Sequence, residues 1–362
     1  MFENIYKNKR VLVTGHTGFK GSWLTEWLLH LGAKVYGYSL YIPSEPSHFT
    51  KLNLESKITH TFGDIKDLKT LEAAFKKAEP EIVFHLAAQP IVSTSIQEPR
   101  ETFETNVMGT INVLECIRSS PTVKAAVIVT SDKCYENVEW EFGYRETDQV
   151  GGKDPYSASK GCAEIAFHSY YRTYFRTNNS PSIATGRAGN VIGGGDWAKD
   201  RIVPDCVRSW ADEKSPLIRS LKATRPWQHV LEPLSGYLEL GRALFVQQKT
   251  INGESFNFGP ASDTTATVEQ LLNETKKYWP NKTWHTNESQ TELSSKEAGL
   301  LKLNCDKSLH RLSWKSVLTF PETVRFTADW YRSYYEEDSI ITFEQISKYV
   351  ELASNRGLQW SM

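Results

Sequence analysis

Tyr156 and Lys160 stand four residues apart in Pro155-Tyr-Ser-Ala-Ser-Lys160. On a helix, that spacing puts both side chains on one face, a turn from each other. An ammonium beside a phenol favours the phenolate and draws its pKa down from about 10. A phenol tuned in this way is a usable general base for a sugar or alcohol hydroxyl. Ahead of the pair, the apolar run Ala125 to Val129 breaks into Thr130-Ser131-Asp132-Lys133-Cys134-Tyr135. A strand ending there would offer the Ser131 hydroxyl to the same substrate oxygen. Alone, Tyr-x-x-x-Lys describes many solvated helix faces. The elements upstream give it weight.

Those elements open with a short apolar strand, Arg10 to Thr14. Gly15-His-Thr17-Gly18-Phe19-Lys20-Gly21 follows, then Ser22 to His30 with apolar residues at helical spacing, Gly32 as a C-cap, and a second strand from Lys34 to Leu40. Such a β-α-β unit sets a pyrophosphate on a helix N-terminus. The glycines let the backbone turn tightly and approach the phosphates. Further strands are expected at Thr59 to Phe62, Glu81 to Leu86, Val123 to Val129 and Ser182 to Arg187. Helices follow Asp67, Pro99 and Pro155. Strands alternating with helices imply an α/β fold with a doubly wound parallel (Rossmann) sheet, which binds ligands at the carboxyl edge of its strands.

After Arg187 the pattern changes. Ala188 to Arg201 is rich in Gly, with Trp and charge. It reads as a binding loop rather than a core element. Asn190, Arg201, Arg219 and Arg225 are candidates for a substrate diphosphate, because a guanidinium fork donates two bonds. A surface salt bridge accounts for each arginine equally well, and His229 has the same standing. This second half reads as a smaller α+β substrate-binding cap. The expected division is 1–188 for the cofactor, with about 226–258 returning to it, and a discontinuous substrate-binding domain in 189–362. The tail, helical near Phe343 to Leu352, carries no functional signal.

Composition narrows the classes. The chain has 362 residues, 40% of them hydrophobic, with net charge −1 and pI about 6.8. Neither nucleic acid nor a membrane surface is an expected partner. Met1 to Arg10 is polar and shows no signal peptide. Five scattered cysteines without Cys-x-x-Cys read as reduced thiols of a cytoplasmic protein. The nine histidines show no metal-ligand spacing, so no metal is expected.

Over roughly residues 8 to 335 these motifs resemble the extended short-chain dehydrogenases/reductases, and more narrowly their CDP-glucose 4,6-dehydratase branch. Gly15, Gly18 and Gly21 match the family's Gly-rich loop, and Asp64 with Ile65 its adenine-side acid. His85-Leu86-Ala87-Ala88-Gln89 matches its H-x-A-A-Q segment. Asn106 to Thr110 matches its N-V-x-G-T helix. Ser131, Tyr156 and Lys160 fall on its catalytic positions. The loop form Gly-His-Thr-Gly-Phe-Lys-Gly-Ser-Trp and the run Thr-Ser-Asp-Lys-Cys-Tyr resemble the CDP-glucose branch in particular.

The resemblance implies a bound NAD that is reduced and reoxidised within one turnover. It implies CDP-glucose as substrate and a role in deoxysugar and O-antigen biosynthesis. It also implies a homodimer or homotetramer built through Pro99 to Ser119 and Pro155 to Arg176. Asp132 would protonate the leaving 6-hydroxyl, and Lys160 would hold the nicotinamide ribose. Lys133 stands where related dehydratases use a Glu to take the C5 proton. It would act either as a neutral amine, the favoured route, or as an ammonium that stabilises the enolate. One departure concerns the end of the second strand, Tyr38-Ser39-Leu40-Tyr41, which has no acid for the ribose. Ser39 is a weak substitute. No arginine follows to clamp a 2′-phosphate, so NAD stays favoured over NADP. The rival readings are a nucleotide-sugar epimerase or reductase, which needs no acid–base pair beside Ser131, and a non-catalytic dinucleotide-binding regulator, which needs no Tyr/Lys pair.

Overall fold

Val11, Leu12 and Val13 are buried from both sides, so the strand Arg10–Thr14 (β1) can stand at the centre of a sheet covered on both faces. The computed structural model describes residues 1–362 apart from 219, 249, 262–263, 281 and 287–299. Around β1 lie Lys34–Ser39 (β2), Thr59–Phe62 (β3), Ile82–His85 (β4), Ala125–Val129 (β5), Ser182–Arg187 (β6) and Ser255–Asn257 (β7). They form one seven-stranded sheet in the order β7-β6-β5-β4-β1-β2-β3. Every pairing is parallel. Thr14 is level with both Tyr38 and His85, so the carboxyl ends of the central strands share one edge. Strand order reverses between β1 and β4, which opens a crevice there.

The first helix runs Phe19–His30, earlier than the expected start at Ser22. Gly21 lies inside it, because a Cβ at that position would come within 2.0 Å of the Gly15 carbonyl oxygen. The long helix from Pro99 is continuous to Ser119 but holds a π-helical turn at Glu104–Met108. Asp154 caps the helix Pro155–Tyr174, accepting from the Ser157 amide at 3.0 Å, with Pro155 in the first turn. The helix Leu231–Phe245 is buried along most of its length and packs on β5 and β6. Chain from the second half thus returns to the main sheet through this helix and β7.

One expectation is corrected. The Gly193–Gly195 stretch is buried. A Cβ at Gly194 would fall 2.0 Å from the Trp330 ring, and one at Gly195, whose φ is +79°, would fall 2.6 Å from the His48 ring. Trp23 also donates its indole N–H to the Gly194 carbonyl at 2.9 Å. These glycines make a packing joint, and the reading of them as an open binding loop fails because large rings fill the space their side chains would need. The tail is helical where the sequence implied, and it packs on the core. Beyond the helix Thr342–Asn355, Trp360 stacks on Phe2 at 5.2 Å and on Tyr349 at 5.8 Å. Among the described residues no helix is long and apolar enough to cross a membrane, and no group of His, Cys, Asp and Glu could hold a metal ion.

Candidate active site

Just past β5 the backbone makes a single 3-10 turn, Asp132–Cys134, with Ser131 as its N-cap. The Ser131 hydroxyl accepts from the Lys133 amide at 3.2 Å and donates to Asp132 Oδ1 at 3.0 Å. The turn drives Asp132 inward and leaves Lys133 half-buried. Asp132 Oδ2 is buried with no hydrogen-bond partner. The Lys133 side chain makes no ion pair with Asp132 or with any other described residue, so it is not neutralised as a surface partner of Asp132.

Across from this turn, the capped helix presents Tyr156 and Lys160, both buried. Burial pushes the Tyr156 phenol up to about 12, against lowering by the Ser131 hydroxyl and the Arg201 charge. The lowering expected from Lys160 is not among the leading influences. Burial draws the Lys160 ammonium down to about 8. Lys20, on the first turn of Phe19–His30, is also drawn down to about 8, by burial and then by Arg201, with Asp132 opposing. Tyr156 thus feels Ser131, Asp132 and Arg201, and Lys20 feels Arg201, Asp132 and Lys160, which gathers these groups near the sheet edge.

Beneath it lies a polar network that the sequence reading missed. Glu164 is one turn beyond Lys160. It pairs with Arg187 Nη2 at 2.8 Å and accepts from Thr185 at 3.0 Å and Ser255 at 2.9 Å, with Thr130 as a further donor. Although burial opposes ionisation, Arg187 and these donors hold its carboxyl at about 2. Arg187 in turn donates to the Tyr135 hydroxyl at 2.8 Å and lies 4.9 Å over its ring. The network joins β5, β6, β7 and the helix of Tyr156. Its available signal was an arginine closing an otherwise small and apolar strand.

The dinucleotide cradle has its geometry at the β1 edge. Gly15 has φ +77°, and a Cβ there would lie 2.6 Å from the Ala87 amide nitrogen. Gly18 begins the helix with no side-chain cap, so the first amides of that helix are left for a ligand. These features fit a pyrophosphate. His85 bridges Thr14 at 2.7 Å and Thr110 at 3.1 Å, and the Ala87 amide donates to Thr14 at 3.3 Å, which fixes the Leu86–Ala88 loop beside the glycines. Asp64 accepts from the Lys66 amide at 2.8 Å and pairs with its ammonium at 3.5 Å. Ile65 is buried against Gly109.

Several residues expected to touch ligand have their hydrogen bonds committed within the protein. Ser39 accepts from the Thr17 amide at 3.3 Å and pairs with His16 Nδ1 at 2.8 Å, and the Thr17 hydroxyl donates to the Tyr41 carbonyl at 2.7 Å. Ser39 thus ties β2 to the Gly-rich turn. Asn106, inside the π turn, accepts from the Gln89 amide at 2.8 Å and donates to the Gln89 carbonyl at 3.0 Å and Ser159 Oγ at 2.9 Å. It fastens the cofactor-side loop to the helix of Tyr156, a use to which local π geometry is suited. The Gln89 side chain accepts from the Ile91 amide at 2.6 Å and donates to Thr102 at 2.9 Å.

The substrate-side candidates separate. Arg201 pairs with Asp196 at 2.7 Å while its charge reaches Tyr156. Asn190 has φ +51°, and its carbonyl accepts from the Gln228 amide at 3.2 Å. Arg225 is buried and donates to the Thr224 carbonyl at 2.8 Å. His229 is fully enclosed, edge-on to Trp23 and close to Phe326. Burial holds it neutral, near 3. It packs as a core histidine, which corrects its candidacy as a substrate ligand. Arg219 lies outside the described residues.

The chain is similar to known proteins along most of its length. The sequence profile of the family described as GDP-mannose 4,6 dehydratase matches residues 12–327. A CDP-glucose 4,6-dehydratase of Salmonella typhimurium strain LT2 is 43% identical over 355 residues, which is 96% of this chain and 98% of the relative. A dTDP-glucose 4,6-dehydratase of Haemophilus influenzae is 25% identical over 341 residues, 89% of this chain and 97% of the relative. The fold is shared with the crystal structure of dTDP-glucose 4,6-dehydratase from Bacillus anthracis in complex with NAD, at TM-score 0.72 and 22% identity over 90% of this chain and 97% of the other. With a profile match across most of its length and a full-length relative at this identity, the chain belongs to the GDP-mannose 4,6 dehydratase family.

Proposed function

We propose that the protein dehydrates CDP-glucose to CDP-4-keto-6-deoxyglucose, as the name of its 43%-identical relative suggests. The observation that carries this reading is the buried Asp132 carboxyl, on the residue after Ser131 and near enough to Tyr156 to act on its phenol. An epimerase needs the hydroxyl-handling pair but no acid beside it. NAD, when bound, would supply the hydride acceptor and donor for C4 and C6, and its positive charge would favour the phenolate form of Tyr156. Ser131 and Tyr156 hold the 4-oxygen, and Tyr156 takes its proton. Lys160 holds the cofactor ribose. Asp132 gives a proton to the departing 6-hydroxyl. Lys133 serves the C5 step, as a neutral amine that takes the proton or as an ammonium facing the enolate oxygen while another group or water takes the proton. Arg201 is placed to meet the substrate's diphosphate end.

In this reading residues 1–188 with the returning 226–258 serve the cofactor, and the rest of 189–362 serves the substrate. The protein works in the cytoplasm as a homodimer or homotetramer. Met108 and Ile165, half or more exposed on the two long helices, support pairing through that face.

The test is to incubate the purified protein with CDP-glucose beside UDP-, dTDP- and GDP-sugars and to follow loss of water by mass. Turnover of CDP-glucose in preference to the others, with Tyr156→Phe slower by about 10²-fold, is the expected result. Preference for another nucleotide sugar, or an isomer of unchanged mass, would refute the reading. Denatured protein should release NAD; recovery of NADP alone would overturn the cofactor.

A further inference from the structure

The Asp132 carboxyl lies flat against the backbone of Gly189. A Cβ built there would come 1.9 Å from Oδ2, 2.0 Å from Cγ and 2.1 Å from Oδ1. No side chain fits at 189 while the carboxyl keeps this place. Gly189 is in turn held by Gln228, which is buried. Its amide nitrogen donates to the Gly189 carbonyl at 2.9 Å and to the Phe258 carbonyl at 3.0 Å. Both donors of one NH2 group are thereby used to bridge the chain leaving β6 and the chain leaving β7. The Gln228 backbone adds a bond to the Asn190 carbonyl at 3.2 Å, and Gln228–His229 runs parallel to Val191–Ile192. The segment Arg225-Pro-Trp-Gln-His thus has a structural use close to the reaction centre. Its glutamine holds the strip of backbone on which the candidate acid rests.

We propose that Gly189, latched by Gln228, is the seat that aims the Asp132 carboxyl at the leaving oxygen, so that both are positioning residues for the elimination step. The proposal rests on the dehydratase reading. In that step the C5–H proton passes to a base, Lys133 as a neutral amine or a water beside its ammonium, and the C5–H electron pair becomes the C5–C6 double bond. The C6–O bond breaks, and the oxygen departs as water with the proton from Asp132, which becomes a carboxylate. Oxidation at C4 uses Ser131, Tyr156 and Lys160 and does not need the seat. Loss of the seat should slow elimination and leave oxidation intact.

The experiment compares two substrates. With CDP-glucose, Gly189→Ala should slow product formation by about 10²-fold, the usual effect of losing a general acid. Reduced-nicotinamide absorbance should build up before water is lost. With CDP-6-deoxy-6-fluoroglucose the leaving group is fluoride, which departs as an anion without a proton from Asp132. The same variant should then release fluoride within about threefold of the wild-type rate. Gln228→Leu keeps the bulk and removes both bonds, and should show the same substrate-dependent split in weaker form. It also carries the test if Gly189→Ala does not fold. Equal slowing on both substrates would mean general damage to the pocket and would overturn the proposal. A wild-type rate for Gly189→Ala on CDP-glucose would also overturn it. Wild-type protein that does not dehydrate CDP-glucose refutes the dehydratase reading itself and removes the basis for the seat.

Discussion

Two glycine-rich turns in this chain look alike in sequence and differ in what replaces the missing side chains. In Gly15–Gly21 the space is taken by backbone: Gly21 presses on the Gly15 carbonyl, and Gly15 on the Ala87 amide of the loop after β4. The result is a tight turn with the free amides of a helix start beside it. In Gly193–Gly195 the space is taken by Trp330, His48 and Val230. The result is a joint between the sheet edge and the C-terminal helices. A glycine run says that something approaches the backbone closely. Whether that something is ligand or core depends on side chains far away in sequence.

The sharpest way to break this contrast is to add one methyl group to each turn. Gly194→Ala drives a Cβ into the Trp330 ring and should cost about 3 kcal/mol, the upper end of ordinary overpacking, measured by urea unfolding. Cofactor retention in the folded fraction should be unchanged. An unaltered unfolding midpoint would mean that the joint is loose. Gly21→Ala should differ in what it reports. Its Cβ meets the Gly15 carbonyl at 2.0 Å, so its stability loss should be at least as large, and in addition NAD titration of the folded fraction should show affinity down by about tenfold, equivalent to about 1.4 kcal/mol. Retained affinity would separate the turn from dinucleotide binding.

The smallest effect should come from acid. Each turn packs on a buried histidine, His16 against the first and His48 against the second, and burial draws both down to about 3. The unfolded chain takes up these protons from about pH 6.5 downward, whereas the folded chain resists until about pH 3. Their contribution to stability is therefore complete above about pH 6.5 and falls as the pH drops through that window. His48→Gln should flatten the dependence of unfolding free energy on pH between 7 and 5 without changing NAD affinity. An unchanged slope would assign the acid sensitivity elsewhere.

The nucleotide-binding half was legible because its signals are local. Period-two and apolar runs marked β1 to β6, and Asp67 caps Leu68–Ala78 through its own side chain as the sequence implied. The three-residue strand β7 is too short to carry a period and is defined by its pairing with β6. Site candidates stand out in sequence where the chemistry asks for a residue type, as at Tyr156 and Lys160. Partners inside the protein are not visible there: Ser39, Gln89 and Asn106 look like ligand contacts in sequence, and the structure adds that each also fastens a loop. His229 and the Gly193–Gly195 joint were misread for the related reason that Phe326 and Trp330, which enclose them, lie far along the chain. Glu164 and Arg187 form a pair that no local pattern announces.

The stacking of Trp360 on Phe2 and beside Trp27 gives the order of synthesis a consequence. Trp27 belongs to the helix whose start forms the dinucleotide cradle, yet one of the rings that covers it, Trp360, leaves the ribosome long afterwards. The first β-α-β unit therefore emerges with an apolar face still bare, and a vectorially folding chain must keep that face from other contacts until Trp360 arrives. Nascent chains stalled before Thr342 should be cut by protease within Phe19–His30, and released full-length chains should resist. Equal resistance in both would show that the cradle is finished without its last covering ring.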